Sequence, residues 1–170
     1  MIKKIVITGG LGYIGTELCK IYSGLSWHHK IIVIDNRFIS ERVNQIQKWN
    51  MEFIHGDILD RELVNKYFKD ADVVHHLAGI TDVPRTKSEA SKEKDEKINL
   101  VGEKGTQNIL DAISDKCKII FPSTHVVYEG INQVKTNIQE DEETKPVLSY
   151  SSSKAVNEKQ LKNSGKNYII

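Results

Sequence analysis

Tyr150 and Lys154 stand four residues apart in Tyr150-Ser151-Ser152-Ser153-Lys154. On a helix that spacing puts both side chains on one face. An ammonium close to a phenol favours the phenolate and lowers its pKa from about 10 toward working pH. Tyr150 is therefore a candidate general base and acid. The plain alternative for the same spacing is an amphipathic first turn with an exposed lysine. A second constellation lies near the N-terminus, where Gly9, Gly12 and Gly15 follow the apolar run Ile5-Val6-Ile7 and open a helical pattern. Gly9 can take the turn conformation after a strand, Gly12 lets backbone approach a pyrophosphate, and Gly15 lets the helix pack closely. The helix N-terminus then offers free N–H groups and a positive dipole end to phosphate. A strand before the glycines and a helix after them is the context in which this spacing reads as dinucleotide-binding.

Asp35 ends the second apolar run, 20 residues past Gly15. A carboxylate there accepts both hydrogen bonds of an adenosine ribose diol and repels a 2′-phosphate, which favours NAD over NADP. Arg37 nearby is read as a solvated loop charge. Asp57, in His55-Gly56-Asp57-Ile58, has two readings: acceptor for an adenine amino group with Ile58 flanking the ring, or cap of the helix starting near Asp60. Leu77-Ala78-Gly79 places small residues where a cofactor crosses the sheet edge. His75 and His76 alternate sides of a buried strand with no carboxylate or cysteine at ligand spacing, so they are read as core or cofactor-adjacent and no metal site is expected.

The elements that must position these groups follow from the hydrophobic pattern. The apolar runs Ile5–Ile7, Ile31–Ile34, Phe53–Ile54, Val73–Leu77, Ile119–Phe121 and Tyr168–Ile170 are short and rich in β-branched residues, as in strands covered on both faces. Helical patterns fall at 13–23, 40–50, 60–69, 97–114 and 151–163. Alternating strand and helix predict an α/β fold with right-handed crossovers and a parallel sheet. Polar stretches at 81–96, with Pro84, and 129–149, with Glu140-Asp141-Glu142-Glu143, read as loops. The final strand reads as only begun, and the 170 residues as one domain, the N-terminal part of a longer chain.

Composition narrows the partners. Net charge is +1 and no basic cluster interleaves with aromatics, which argues against nucleic acid. No apolar run reaches the roughly 20 residues of a membrane span. The start shows no signal-peptide pattern. Cys19 and Cys117 read as a reduced pair in a cytoplasmic protein.

Taken in order, Thr8-Gly9-Gly10-Leu11-Gly12-Tyr13-Ile14-Gly15, Asp35-Asn36, Gly56-Asp57-Ile58, His76-Leu77-Ala78-Gly79, Ser123-Thr124 with Val127-Tyr128, and Tyr150-x-x-x-Lys154 with Glu158 resemble the extended short-chain dehydrogenase/reductases. The likeness is to their nucleotide-sugar epimerases and dehydratases in particular, and it runs through essentially the whole chain. The resemblance implies a doubly wound Rossmann domain with tightly bound NAD, held by Gly9, Gly12, Tyr13, Ile14, Gly15, Asp35, Asn36, Asp57, Ile58, Leu77, Ala78, Gly79 and Lys154. It also implies a triad. Thr124 orients the substrate hydroxyl, Tyr150 exchanges its proton, and Lys154 holds the nicotinamide ribose and tunes Tyr150. The implied activity is NAD-dependent epimerisation of a nucleotide sugar. The alternatives are ketone reduction by a related enzyme and a non-catalytic dinucleotide sensor. Family members commonly form homodimers through the helices that fall here at 97–114 and 151–163.

Four departures from the pattern stand out. The helix motif Asn, then Gly-Thr, is spread over Asn99 to Thr106, so that either three residues are inserted or Asn99 is not the equivalent residue. Val-Tyr-Gly is here Val127-Tyr128-Glu129-Gly130. His125-Val126 replaces the Asp-Glu of the sugar 4,6-dehydratases, which points away from dehydratase chemistry. The lysine that some hexose 4-epimerases carry is absent at Thr81. The family's further hundred or more residues, which supply most of the sugar pocket, are not in this sequence, so the substrate lobe is expected to be missing.

Overall fold

Six strands, β1 (Lys4–Thr8), β2 (Lys30–Asp35), β3 (Glu52–His55), β4 (Val73–His76), β5 (Lys118–Ile120) and β6 (Asn167–Ile169), form one sheet in the order β3-β2-β1-β4-β5-β6. Every pairing is parallel. The structure is a computed structural model that describes residues 2–81 and 91–170. Pro84 and most of the polar stretch expected as a loop at 81–96 lie outside the described residues.

Helices α1 (Tyr13–Tyr22), α2 (Ser40–Lys48), α3 (Arg61–Phe68), α4 (Lys92–Asn99), α5 (Gly105–Ala112) and α6 (Ser149–Asn163) connect the strands. The period-2 alternation of the strands sorts the core into two layers. Ile5, Ile7, Ile31 and Val33 point to one face and meet Leu11, Cys19, Val43 and Ile46 from α1, α2 and the turn before α1. Val6, Ile32, Ile34, Val74 and Ile119 point to the other and meet Val64, Phe68, Ile109, Leu110 and Leu161 from α3, α5 and α6. Complete burial of each such side chain contributes about 1.5–3 kcal/mol. Cys19 and Cys117 are free, buried and on opposite faces. Burial pushes their thiols up to about 12 and about 11, respectively.

Two helix starts, those of α3 and α4, follow local side-chain caps. Asp60 accepts from the amides of Glu62 and Leu63 at 3.0 and 3.1 Å and caps α3. Asp57 instead accepts from Leu59 N–H at 2.9 Å, so the helix-capping reading of Asp57 does not hold. Helix α4 begins at Lys92, earlier than the apolar period predicts, because Ser91 caps it and its first two turns are polar. From Lys92 to Ala112 the chain is helical throughout. One wider π turn, Leu100–Lys104, falls within the stretch where the sequence spacing departs from the pattern. No segment loops out there, and Gly102 is the point where a Cβ would run into Ser153 of α6.

The strand order reverses between β1 and β4. In open α/β sheets, ligands lie beyond the carboxyl ends of the strands at such a switch point. The glycine turn follows β1, and Leu77-Ala78-Gly79 follows β4.

Candidate active site

The turn after β1 hangs on the end of β2: the Gly9 amide donates to the Ile34 carbonyl at 2.8 Å. Gly9 has φ +66°, and a Cβ there would lie 2.8 Å from the Ala78 nitrogen. Both facts demand glycine. A Cβ on Gly15 would lie 2.6 Å from Gly10 Cα and against the Gly9 carbonyl, so this glycine lets α1 start tight against the turn itself. Helix α1 has Gly12 at its N-cap with no side-chain cap, while Tyr13 and Ile14 are exposed by 84% and 61%. The resulting surface is bare amides at a helix N-terminus, a cradle that fits the pyrophosphate of a dinucleotide.

Asp35 sits beside this cradle but already has partners. Its Oδ2 accepts from the Leu11 amide at 2.9 Å. Its Oδ1 accepts from the Arg37 amide at 2.9 Å and from Arg37 Nε at 3.3 Å. Arg37 is exposed, as expected of a solvated loop charge, and is also an ion-pair partner of the candidate ribose-binding acid. Arg42 donates to the Leu11 carbonyl from the other side. Asn36 Nδ2 donates to Asp57 Oδ2 at 2.9 Å, which brings these two predicted residues together at the ends of β2 and β3. Ile58 is buried against Gly105 of α5, and Asn108 of α5 donates to the carbonyls of Ile58 and Leu59 at 3.0 and 3.3 Å.

Under the shelf Leu77-Ala78-Gly79 runs a buried polar chain. Thr8 Oγ1 accepts from the amides of Leu77 and Ala78 at 3.1 and 3.0 Å. Its own proton is thereby directed to His76 Nδ1, 3.0 Å away. His76 then carries its proton on Nε2 and donates to Thr106 Oγ1 at 2.9 Å. Burial first, and the charge of Lys154 second, push His76 down to about 3, so it is a neutral strut. His75 faces the opposite layer, with Nε2 2.8 Å from the Tyr22 hydroxyl.

The second half of the site follows β5. Thr124 precedes a short 3-10 turn at His125–Tyr128, and its hydroxyl oxygen accepts from the Val126 amide at 3.4 Å. That turn packs against α6. Tyr150 and Lys154 stand on the first two turns of α6, as the spacing predicts. Lys154 Nζ donates to the Pro122 carbonyl at 3.0 Å and lies 4.2 Å from the centre of the Phe121 ring and 6.0 Å from that of Tyr150. Burial pushes Lys154 down to about 8, opposed by Glu158 one turn later. Glu158 accepts from Ser123 Oγ at 2.5 Å. The expected lowering of Tyr150 is reversed here. Burial holds its phenol above the ordinary range, and Lys154 is turned into the end of β5.

Thus the predicted residues form two groups on one sheet edge. The cradle gathers Gly9, Gly12, Tyr13, Ile14, Gly15, Asp35, Asn36 and Asp57 with Ala78 closing on Gly9. The β5–α6 corner gathers Thr124, Tyr150 and Lys154. Thr8, Arg42, Thr106, Phe121 and Glu129 take part in holding these groups, and the sequence reading did not single them out. Thr8 and Thr106 stood within matched motifs and Glu129 at a departure from one, but none of these signals gave the supporting role.

The sequence matches the model of the NAD dependent epimerase/dehydratase family over residues 5–170. It is 36% identical over 146 residues to CDP-paratose 2-epimerase of Salmonella typhi, covering 79% of this chain and 40% of that protein. It is 30% identical over 170 residues to UDP-glucose 4-epimerase of Neisseria meningitidis serogroup C, covering 94% of this chain and 47% of that one. The chain therefore spans less than half the length of these relatives. Among solved structures, it superposes on UDP-N-acetylglucosamine 4-epimerase from Methanobrevibacter ruminantium M1 with a TM-score of 0.78 at 30% identity, covering 98% of this chain and 53% of that one. UDP-glucuronic acid 4-epimerase from Bacillus cereus, solved with UDP-glucuronic acid and NAD, gives 0.77 at 28% identity, covering 98% and 55%. A glycine cradle at the β1–β4 switch point, a Tyr-Lys helix after β5 and a family match over nearly all its length have one common meaning: the chain belongs to the NAD dependent epimerase/dehydratase family.

Proposed function

We propose that the chain is the cofactor-binding part of an NAD-dependent epimerase acting on a nucleotide sugar. The observation that carries this reading is the pairing of a bare amide cradle with a half-buried Tyr150–Lys154 corner on the same edge of one parallel sheet. When bound, NAD supplies reversible hydride acceptance at its nicotinamide. Gly9, Gly12, Tyr13, Ile14 and Gly15 would hold its pyrophosphate, Asp35 and Asn36 its adenosine ribose, and Asp57 and the backbone of Ile58, whose side chain is buried, its adenine. Leu77, Ala78 and Gly79 would floor the crossing to Lys154.

Thr124 orients a sugar hydroxyl. Tyr150 takes its proton as hydride leaves the same carbon, and returns it after the sugar has presented its other face. Lys154, whose ammonium donates to the Pro122 carbonyl in this structure, would have to turn from that carbonyl toward the Tyr150 hydroxyl to stabilise the phenolate during that exchange. The absence of an Asp-Glu pair after Thr124 supports epimerisation over dehydration. The relatives' names support a sugar joined to UDP, dTDP or CDP as the substrate class. We assign the helical face of α5 and α6, where Leu110 and Val156 line a shallow groove, as the contact of a homodimer. The protein is read as cytoplasmic.

The test is incubation of the full natural protein with NAD and a panel of UDP-, GDP-, dTDP- and CDP-sugars, followed by NMR. Interconversion of one epimeric pair is expected. No turnover of any of them, together with reduction of unrelated ketones, would move the assignment to the reductases of the family.

A further inference from the structure

Glu129 interrupts the Val-Tyr-Gly pattern, and the structure gives its side chain a defined task. Its Oε1 accepts from the amides of Val147 and Leu148, each at 2.8 Å, and from the Ser151 hydroxyl. Ser151 is buried in the first turn of α6, next to Tyr150. Leu148 occupies the N-cap of α6 and has no side-chain acceptor to offer. Glu129 supplies from 19 residues upstream what a serine or aspartate at the cap would supply locally. The backbone ties the same two segments together. Lys145 N–H donates to the Val127 carbonyl at 2.8 Å, and Gly130 N–H to the Lys145 carbonyl at 2.8 Å. One carboxylate oxygen thus joins the 3-10 turn that follows Thr124 to the helix start that carries Tyr150.

We propose that Glu129 is a positioning residue, which fixes the start of α6, and with it Tyr150, against the turn bearing Thr124. The proposal rests on the reading of Tyr150 as acid and base. A carboxylate at a helix N-terminus is also favoured by the helix dipole. Desolvation pushes the Glu129 carboxyl up, but the Ser151 hydroxyl and the two amides outweigh it and hold the group below the usual carboxylate range. A reacting group displaced by about 1 Å costs on the order of 100-fold in rate. A helix start that frays part of the time costs less, about tenfold.

Two variants separate positioning from bulk. All three bonds converge on one oxygen, so Glu129→Gln keeps the acceptor while Glu129→Ala removes it. Amide hydrogen exchange at Val147 and Leu148 is expected to speed at least tenfold in Glu129→Ala and less than threefold in Glu129→Gln. In the full natural protein, kcat on the sugar nucleotide is expected to fall about tenfold in Glu129→Ala with KM within twofold. Glu129→Gln restores kcat to within threefold, and NAD affinity stays within twofold in both. If Glu129→Ala does not fold, Glu129→Asp, which withdraws the oxygen by one methylene, takes its place with the same expectations. Unchanged exchange at Val147 and Leu148, an undiminished kcat, or a Gln variant as impaired as Ala each overturns the proposal. If the unmutated protein turns over no sugar nucleotide, it is the acid–base reading of Tyr150 that fails, and the exchange rates alone then decide whether Glu129 holds the helix start.

Discussion

The ammonium nitrogen of Lys154 stands 4.2 Å from the centre of the Phe121 ring and donates to the carbonyl of the next residue, Pro122, at 3.0 Å. The ring of His76 lies 5.6 Å from that of Phe121 between centroids. The candidate catalytic lysine is thus seated on an aromatic ring that rests on the buried strut beneath the cofactor shelf. A face-on ammonium is attracted by the ring quadrupole, by about 2 kcal/mol when desolvated. That seat keeps a charge in a place where burial alone disfavours it.

The cost of that burial is measurable. Unfolded Lys154 titrates near 10.5 and the folded group near 8. Between these values the unfolded chain binds more protons, so stability rises with pH across the window, and this contribution is lost as pH falls through 8. Lys154→Met lacks the dependence. From pH 7.5 to 10.5, urea titrations are expected to shift in favour of the unmutated protein relative to Lys154→Met by roughly 2–3 kcal/mol. A difference that stays flat with pH contradicts the buried position.

His76 gives the opposite edge of the pH range. Its folded value is depressed from 6.5 to about 3. Its contribution is complete above 6.5 and is lost as pH falls toward 3, where the neutral strut must charge. Between pH 7 and pH 4.5 the unmutated protein is expected to lose roughly 2–3 kcal/mol more than His76→Gln. Chemical denaturation at the two pH values checks this.

Much of the fold was legible in the sequence. Ile5–Ile7, Ile31–Ile34 and Ile119–Phe121 could be nothing but covered strands, and the 3.6-residue period located α1, α2, α3 and α6 to within a few residues. The start of α4 was not legible, because Lys92 to Lys97 carries no apolar stripe and only the Ser91 cap marks it. The glycine spacing gave the cradle, and Tyr150 with Lys154 gave the corner. The supports escaped notice for a physical reason: they are bonds between residues far apart in the chain. Thr8 meets His76 across 68 positions, and Arg42 meets Leu11 across 31. No local period encodes such pairs. The direction of the Tyr150 shift was missed because four-residue spacing fixes a shared face, not where the lysine end turns.

Two glycines that look alike in sequence are expected to behave differently. A Cβ at Gly15 meets backbone at 2.6 Å, whereas one at Gly79 meets nothing within 4 Å. Gly15→Ala is expected to lower NAD affinity by more than tenfold and to destabilise the fold by about 2 kcal/mol, as strained packing does. Gly79→Ala is expected to leave melting temperature within about 1 °C, since surface changes clear of such contacts stay within ±0.5 kcal/mol. Calorimetric NAD titration and thermal melts test both.

Arg37 occupies one oxygen of Asp35 that a ribose diol needs. Arg37→Gln removes the ion pair and is expected to tighten NAD binding severalfold, while Asp35→Asn weakens it by at least tenfold. Isothermal titration with NAD is the check. Weaker binding in Arg37→Gln would mean that the guanidinium contacts the cofactor instead of competing with it.

The most direct measurement is proton and hydride exchange on the sugar by Tyr150→Phe. The variant keeps the ring and removes only the hydroxyl. In the full natural protein, the predicted result is NAD affinity within twofold of the unmutated protein and interconversion of the nucleotide sugar slowed at least 100-fold, the upper part of the usual contribution of a positioned acid–base group. Epimerisation at an undiminished rate by Tyr150→Phe would contradict the assignment of Tyr150 as the acid and base of this site.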